Sequence, residues 1–246
     1  MYTAFASVYD RLMANVDYSA WAMFYRELLR LRGVSCGAVC ECACGTGSLT
    51  LPLAKTYAIT GVDISGDMLF AAQEKARRAG LSIPFVQADM RSFTLHRPVD
   101  AVLCTCDGVN YLESEQAVSA FFHAAYQALK PGGALIFDVS TPYKLKHILG
   151  NHDLCEDAPD ISYLWSNRFY PKNCRVEMHL SIFMRETGTL YRRIIEDQVQ
   201  YGYTQAALKA LLLQEGFTAV TVHGDRTTDA PKPSEKRWHI AATRKE

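Results

Sequence analysis

The sequence predicts an α/β protein with a doubly wound, Rossmann-like seven-stranded sheet, mostly parallel with the last strand antiparallel. A small antiparallel β lid is inserted after strand five. Three observations predict this. Between Gly37 and Val139, short apolar runs alternate with amphipathic stretches of roughly 10–15 residues, as in a parallel sheet covered on both faces. Ala43-Cys44-Gly45-Thr46-Gly47 follows the first run as a tight, glycine-containing turn. The alternation then lapses between Thr141 and Tyr203 in favour of a period of two, and resumes afterwards.

Taken in order, a helical piece carries Phe5, Tyr9 and Leu12. A helix over Tyr18–Arg32 follows, with Trp21, Phe24, Tyr25, Leu28 and Leu29 on one face and Gly33 as its stop. Gly37–Cys42 reads as a buried strand, 48–56 as helix with Pro52 tolerated near its start, and Tyr57–Val62 as a strand ending at Asp63. Ser65 caps a helix over Gly66–Ala79 that Gly80 stops. Ile83–Gln87 and Asp100–Cys104 are strands three and four, Ser114 caps the next helix, Lys130–Gly133 is a turn, and Ala134–Val139 is strand five. Right-handed crossovers join such units. Residues 141–160 read as loop. Cys174, Val176, Met178, Leu180, Ile182 and Met184 then alternate with mainly polar residues, and Glu186-Thr187-Gly188 turns the chain into a partner strand over Thr189–Tyr201. Thr204–Glu215 is helix, and Phe217–Val222 and Trp238–Thr243 are the last strands. The expected domains are 1–140 plus 204–246, with an N-terminal helical cap over 1–33, and a lid over 141–203 on the substrate side.

Composition narrows the function. The 246 residues carry 26 basic and 26 acidic side chains, for a net charge of zero. That balance lacks the footprint of a nucleic-acid or polybasic membrane binder. The run Lys75-Ala76-Arg77-Arg78 reads as a solvated helix face. No apolar stretch approaches a membrane span, and Met1-Tyr2-Thr3-Ala4-Phe5 has neither the basic nor the apolar region of a leader. Cys36, Cys40, Cys42 and Cys44 depart from paired zinc spacing. The eight cysteines therefore read as reduced thiols in a cytoplasmic protein, with no metal expected.

The turn at 43–47 brings backbone N–H groups to a ligand, and Asp63 falls where a carboxylate can accept from a ribose diol. A dinucleotide site is disfavoured, because the third glycine of that fingerprint is Thr50 reading from Gly45. A register starting at Ala43 loses the first glycine instead. A P-loop fails for want of Gly-Lys-Ser/Thr. A nucleoside cofactor with little phosphate to cradle survives.

Glu41-Cys42-Ala43-Cys44-Gly45-Thr46-Gly47, Gly61-Val62-Asp63-Ile64-Ser65 with Met68, Gln87-Ala88-Asp89-Met90, Cys106–Leu112 and Leu129–Gly133 together resemble the class I S-adenosylmethionine-dependent methyltransferases, particularly bacterial small-molecule types. The resemblance spans roughly residues 1–140. It implies S-adenosyl-L-methionine as cofactor. Cys42, Ala43, Cys44, Gly45 and Gly47 would wrap its methionine part, and Asp63 would take the ribose hydroxyls. Ile64 and Met68 would pack near the adenine, Asp89 would accept from its amino group, and Met90 would lie beside the ring. Backbone carbonyls between Cys104 and Cys106 would meet the ammonium. Tyr9 and Asp10 resemble a segment that closes over the cofactor, though Tyr9 equally fits a core aromatic. The family usually has glycine at Ala43.

The activated methyl needs chiefly orientation and a desolvated site, so no catalytic base is assigned. The candidates are Tyr111, His147 and Glu196, with His152 and Tyr201 nearby. Arg192, Glu196, Gln198 and Gln200 share a strand face that either lines an acceptor pocket or meets water. Related lids often carry histidine at Gln198. The expected activity is methyl transfer to a small-molecule acceptor by in-line displacement. The alternatives are a non-catalytic module binding S-adenosylmethionine or S-adenosylhomocysteine, and a methyltransferase of RNA or protein. The expected partners are the small acceptor and a second copy of the chain as a homodimer, with membranes excluded and nucleic acid disfavoured.

Overall fold

A computed structural model describes residues 3–246; Met1 and Tyr2, part of the segment read for a leader, lie outside them. Helices α1 (Thr3–Leu12) and α2 (Tyr18–Leu31) precede β1 (Ala38–Cys42), and α3 (Thr50–Leu53), β2 (Ala58–Asp63), α4 (Gly66–Arg78) and β3 (Phe85–Gln87) follow. Then come β4 (Val99–Cys104), α5 (Glu115–Ala128) and β5 (Leu129–Ser140). A separate sheet holds β6 (Asp153–Asp157), β7 (Ile161–Tyr170), β8 (Arg175–Thr187) and β9 (Leu190–Tyr201). The chain ends with α6 (Gln205–Gln214), β10 (Phe217–His223) and β11 (Arg237–Arg244).

The main sheet has the order β10-β11-β5-β4-β1-β2-β3. β1 runs parallel to both β2 and β4, and β11 runs antiparallel to both neighbours, as the sequence predicts. From β1 the chain winds one way to β2 and β3 and then the other way to β4 and β5. The carboxyl ends of β1 and β4 therefore flank the crevice where such sheets bind ligands. Phe121, Phe122 and Leu212 cover one face of the sheet, while Tyr25, Leu28 and Leu29 cover the other. A third apolar cluster joins Phe5 and Val8 of α1 to Val176, Met178, Leu180 and Ile194 of the second sheet. Among the described residues no helix is long and apolar enough to cross a membrane, and all eight cysteines are free thiols.

Local expectations differ from the structure in three places. The helix expected over 48–56 is only α3, because the Thr50 hydroxyl turns inward to Glu41 and Pro52 donates no N–H. Lys130–Gly133 lies within β5 as a bulge: Val99 faces Leu129 but Ala101 faces Ala134, with Gly132 at φ +75°. The second sheet has four strands where periodicity indicated two, in the order β6-β7-β8-β9, and a π-helical turn over Lys144–Leu149 precedes it. β6 is an edge strand exposed along most of its length, so its residues alternate too weakly to announce it. The Ser65 and Ser114 caps form as expected, each accepting from the N–H three residues on, and Thr204 caps α6 in the same way.

Candidate active site

At the end of β1 the chain turns sharply, with Ala43, Gly45 and Gly47 all left-handed at φ +53°, +54° and +71°. This aims backbone N–H groups of the loop at the neighbouring strand end. Gly45 donates to Asp63 Oδ2 at 2.7 Å, and Ser65 donates to Asp63 Oδ1 at 2.9 Å. Each carboxylate oxygen keeps a lone pair, and Asp63 lines a cavity of about 450 Å³. Burial pushes its pKa up, and the N–H bonds hold it back.

Behind the loop, Glu41 is 1% exposed and accepts from Thr50 at 2.6 Å and Thr105 at 2.9 Å. Burial pushes its pKa up to about 7 against those hydroxyls. Farther along the cavity the Arg91 guanidinium grips both oxygens of Asp89 and reaches Glu113 at 3.2 Å, lowering the Asp89 pKa. The Tyr9 and Tyr18 hydroxyls face the same space, and burial raises both far above the usual phenol range.

Cys106 and Asp107 make a second left-handed bend after β4, at φ +56° and +57°. A buried ionic cluster holds it. Asp107 meets Arg237 at 2.9 Å and accepts from Gln200 of β9 at 2.9 Å, Arg237 also grips Asp138, and Lys144 donates to Ser140 at 2.9 Å. The paired cations hold the Asp107 carboxyl well below the usual carboxylate range, although burial opposes them. At the cavity's other end Tyr111 donates to Gln198 of β9 at 2.9 Å. α1 closes over the top: Asp10 accepts from Thr46 at 2.6 Å and Ser48 at 3.1 Å, and pairs with Lys75 at 2.5 Å.

A family described as a methyltransferase domain matches residues 39–133. A methyltransferase of Geobacillus sp. (strain WCH70) is 36% identical over 246 residues, covering 98% of each chain. The chain is a class I S-adenosylmethionine-dependent methyltransferase. The crystal structure of an S-adenosylmethionine-dependent methyltransferase from Clostridium acetobutylicum ATCC 824 superposes with a TM-score of 0.90 at 29% identity, covering 100% of this chain and 99% of that one. The dTDP-3-amino-3,4,6-trideoxy-alpha-D-glucopyranose N,N-dimethyltransferase of Streptomyces venezuelae is 32% identical over 136 residues, 54% of this chain and 56% of its own.

The methyltransferase's cavity suits this cofactor. It offers a carboxylate at a strand end, backbone N–H groups, and the thioethers of Met68 and Met90, with no phosphate cradle. Of the residues singled out in the sequence, Tyr9, Ala43, Cys44, Gly45, Asp63, Ile64, Met68, Asp89, Met90, Cys106 and Tyr111 line it. Cys42 and Cys104 do not: both are 0% exposed and pack into the core beneath the sheet, with Cys104 directed at Met90 Sδ. Gly47 lies behind the loop, where an added Cβ would stand 3.2 Å from Ala72. His147 stacks on Tyr143 away from the cavity. Glu196 is buried beside Gln198 without lining the cavity, and Tyr201 uses its carbonyl to accept from Asn110. Sequence reasoning did not single out Tyr18, Arg91 and Glu113, and included Thr105 only through its backbone, within the span Cys104–Cys106. Tyr18 was read only as a helix start, Thr105 meets Glu41 from 64 residues away, and Arg91 was passed over although its partner Asp89 stands two residues before it.

Proposed function

We propose that this methyltransferase transfers the methyl group of S-adenosyl-L-methionine to the neutral amine nitrogen of a small molecule held between the strand ends and β9. The observation that carries this reading is the acceptor end of the cavity, walled by Tyr9, Tyr18, Tyr111 and Gln198, all uncharged. No histidine is among the lining residues, the buried phenols of Tyr9 and Tyr18 stay protonated at neutral pH, and Glu41 has both oxygens engaged by threonines. A hydroxyl acceptor normally needs a base, whereas a neutral amine brings its own lone pair. The N,N-dimethyltransferase relative from Streptomyces venezuelae supports amino sugars as the first class to try. The zero net charge favours a small acceptor over RNA, and the free thiols support a reducing, cytoplasmic setting.

When bound, the cofactor supplies a methyl group already activated on a sulfonium. Asp63 would hold the ribose diol, Asp89 the adenine amino group, and Ile64, Met68 and Met90 the ring. The loop from Ala43 to Gly45 would cradle the methionine part. α1, latched by Asp10, and the lid would exclude water and align the nucleophile, an effect of about 7–11 kcal/mol in well-oriented reactions. Incubating the protein with S-adenosylmethionine and a panel of amino sugars, simple amines, phenols and carboxylates tests this. Methylated amines alone are expected; methylation confined to phenols or carboxylates overturns the amine assignment.

A further inference from the structure

We propose that Arg237 and Asp138 are positioning residues for the cofactor, clamping the left-handed bend after β4 against the methionine end of S-adenosylmethionine. This inference rests on the cofactor placement above. The strand ends stand in the order β3, β2, β1, β4. On or just beyond them lie Asp89, Asp63, the turn from Ala43 to Gly45, and the bend at Cys106 and Asp107. With the adenine at Asp89 and the ribose at Asp63, the rest of the cofactor would run over β1 and reach β4. Thr105, Cys106 and Gly108 line the cavity there.

The bend does not hold itself. Cys106 and Asp107 are successive non-glycine residues at φ +56° and +57°, where a Cβ crowds the following carbonyl oxygen. Such backbone persists only where its surroundings over-determine it. Here the surroundings come from three strands. Asp107 N–H donates to Asp138 Oδ1 of β5 at 2.9 Å, and Arg237 of β11 donates to Asp138 Oδ2 with one arm and to Asp107 Oδ1 with the other, at 2.9 Å. Asp107 Oδ2 accepts from Ser140 at 3.1 Å and from Gln200 of β9 at 2.9 Å. Inward relaxation is blocked at the next residue. A Cβ at Gly108 would stand 2.8 Å from Cys104 Sγ and 3.0 Å from Ala43 Cβ.

Register explains why these residues form the clamp. Cys104 pairs with Phe137, so Asp138 stands one step beyond the last paired residue of β4, level with the bend. Arg237 pairs with Ser140 at the start of β11, which brings its guanidinium back between the two carboxylates. Trp21 of α2 backs that guanidinium, with the ring centroid 5.2 Å from Cζ. A planar fork can serve both carboxylates at once, whereas a lysine ammonium is a single point. Asp107, Asp138 and Arg237 stand behind the cavity lining, so they act on the ligand through Cys106 and do not touch it. Gln200 joins the same clamp to β9, two residues from the cavity-lining Gln198.

The probes are S-adenosylhomocysteine and 5′-methylthioadenosine, which share adenine, ribose and sulfur, while the second has a methyl group in place of the amino-acid chain. Their binding to the full chain is measured by calorimetry. The unmodified protein is expected to prefer S-adenosylhomocysteine at least about 100-fold. Arg237→Lys should weaken S-adenosylhomocysteine about tenfold, the size of one hydrogen bond, and leave 5′-methylthioadenosine within about threefold. Gln200→Ala removes one neutral donor from Asp107 and should give the same pattern at about threefold. Glycine takes a left-handed φ without strain, so Cys106→Gly added to Arg237→Lys should recover most of the lost affinity, while Cys106→Gly alone stays within about threefold of the parent. Equal losses for the two probes would make Arg237 a purely structural residue and overturn the proposal, as would no loss for either, or no recovery in the double variant. An unmodified protein that binds the two probes equally, or binds neither, would overturn the cofactor placement itself.

Discussion

At the β1–β2 end of the cavity, the contact that shapes the site joins Gly45 to Asp63, 18 residues apart, and at the other end Tyr111 meets Gln198 across 87 residues. The first end is made of backbone bends and carboxylates at consecutive strand ends; the second is made of phenols and amides brought together by an inserted sheet. The local end is the one a cofactor common to a whole family would use, and the remote end is free to change with the acceptor. Between them stands the cluster of Asp107, Asp138, Lys144 and Arg237, bonded to the second sheet through Gln200.

The largest effect should come from cutting that joint. Arg237 is the shared partner of Asp107 and Asp138, whose side chains are 16% and 0% exposed. Arg237→Ala leaves two buried carboxylates with Lys144 as their nearby cation, which should cost about 3–5 kcal/mol in denaturant unfolding. Gln200→Ala removes one hydrogen bond and should cost about 1–3 kcal/mol. Equal losses for the two variants would mean that the cluster is no more than a surface pair.

The two ends should also separate in cofactor binding. Asp63→Ala removes the proposed ribose acceptor together with the anchor of the Gly45 N–H. It should weaken S-adenosylmethionine at least about 100-fold, or roughly 2.7 kcal/mol. Gln198→Ala should leave that affinity within about threefold and lower only acceptor turnover. Calorimetry on both variants decides: a comparable loss of cofactor affinity in Gln198→Ala would erase the division of labour.

Glu41 gives the local end a pH signature. Its folded pKa is raised from an unfolded value near 4.5 to about 7. The native state therefore binds the proton more tightly, and the stabilisation this gives is full below about 4.5 and lost as pH rises through 7. Relative to Glu41→Gln, the parent should lose stability across pH 5–8, by on the order of 3 kcal/mol at most. A stability difference that stays flat over that window would show that Glu41 does not titrate there.

How much of this was legible in the sequence follows the same division. The parallel sheet, the turn at 43–47 and Asp63 could be read because each motif is contiguous and its hydrophobic period is unbroken. β6 and β7 could not, because β6 is exposed along most of its length and β7 is mostly half-buried, so neither carries a clear alternation. The face of β9 was left open between water and an acceptor pocket. Gln198 lines the cavity and Gln200 reaches Asp107, and neither partner is near in sequence. Cys42 and Cys104 were placed near the ligand by the family resemblance, Cys104 through its backbone carbonyl. Strand alternation turns their side chains into the core while the adjacent Ala43 and Thr105 face the cavity.

The smallest test concerns the one residue of the loop that departs from the family's pattern. Ala43 holds φ +53°, a left-handed conformation that costs a non-glycine residue roughly 1–2 kcal/mol. Glycine removes that strain, but its freer unfolded chain returns about 0.4–1 kcal/mol. Ala43→Gly should therefore stabilise the protein by at most about 1.6 kcal/mol in urea unfolding. The methyl group has a second neighbour. A Cβ added at Gly108 would lie 3.0 Å from Ala43 Cβ and 2.8 Å from Cys104 Sγ, so Gly108→Ala should destabilise, and Ala43→Gly should recover part of the loss by removing one of the two clashes. Purely additive effects in that double variant would show that the two bends, one after β1 and one after β4, do not press on each other.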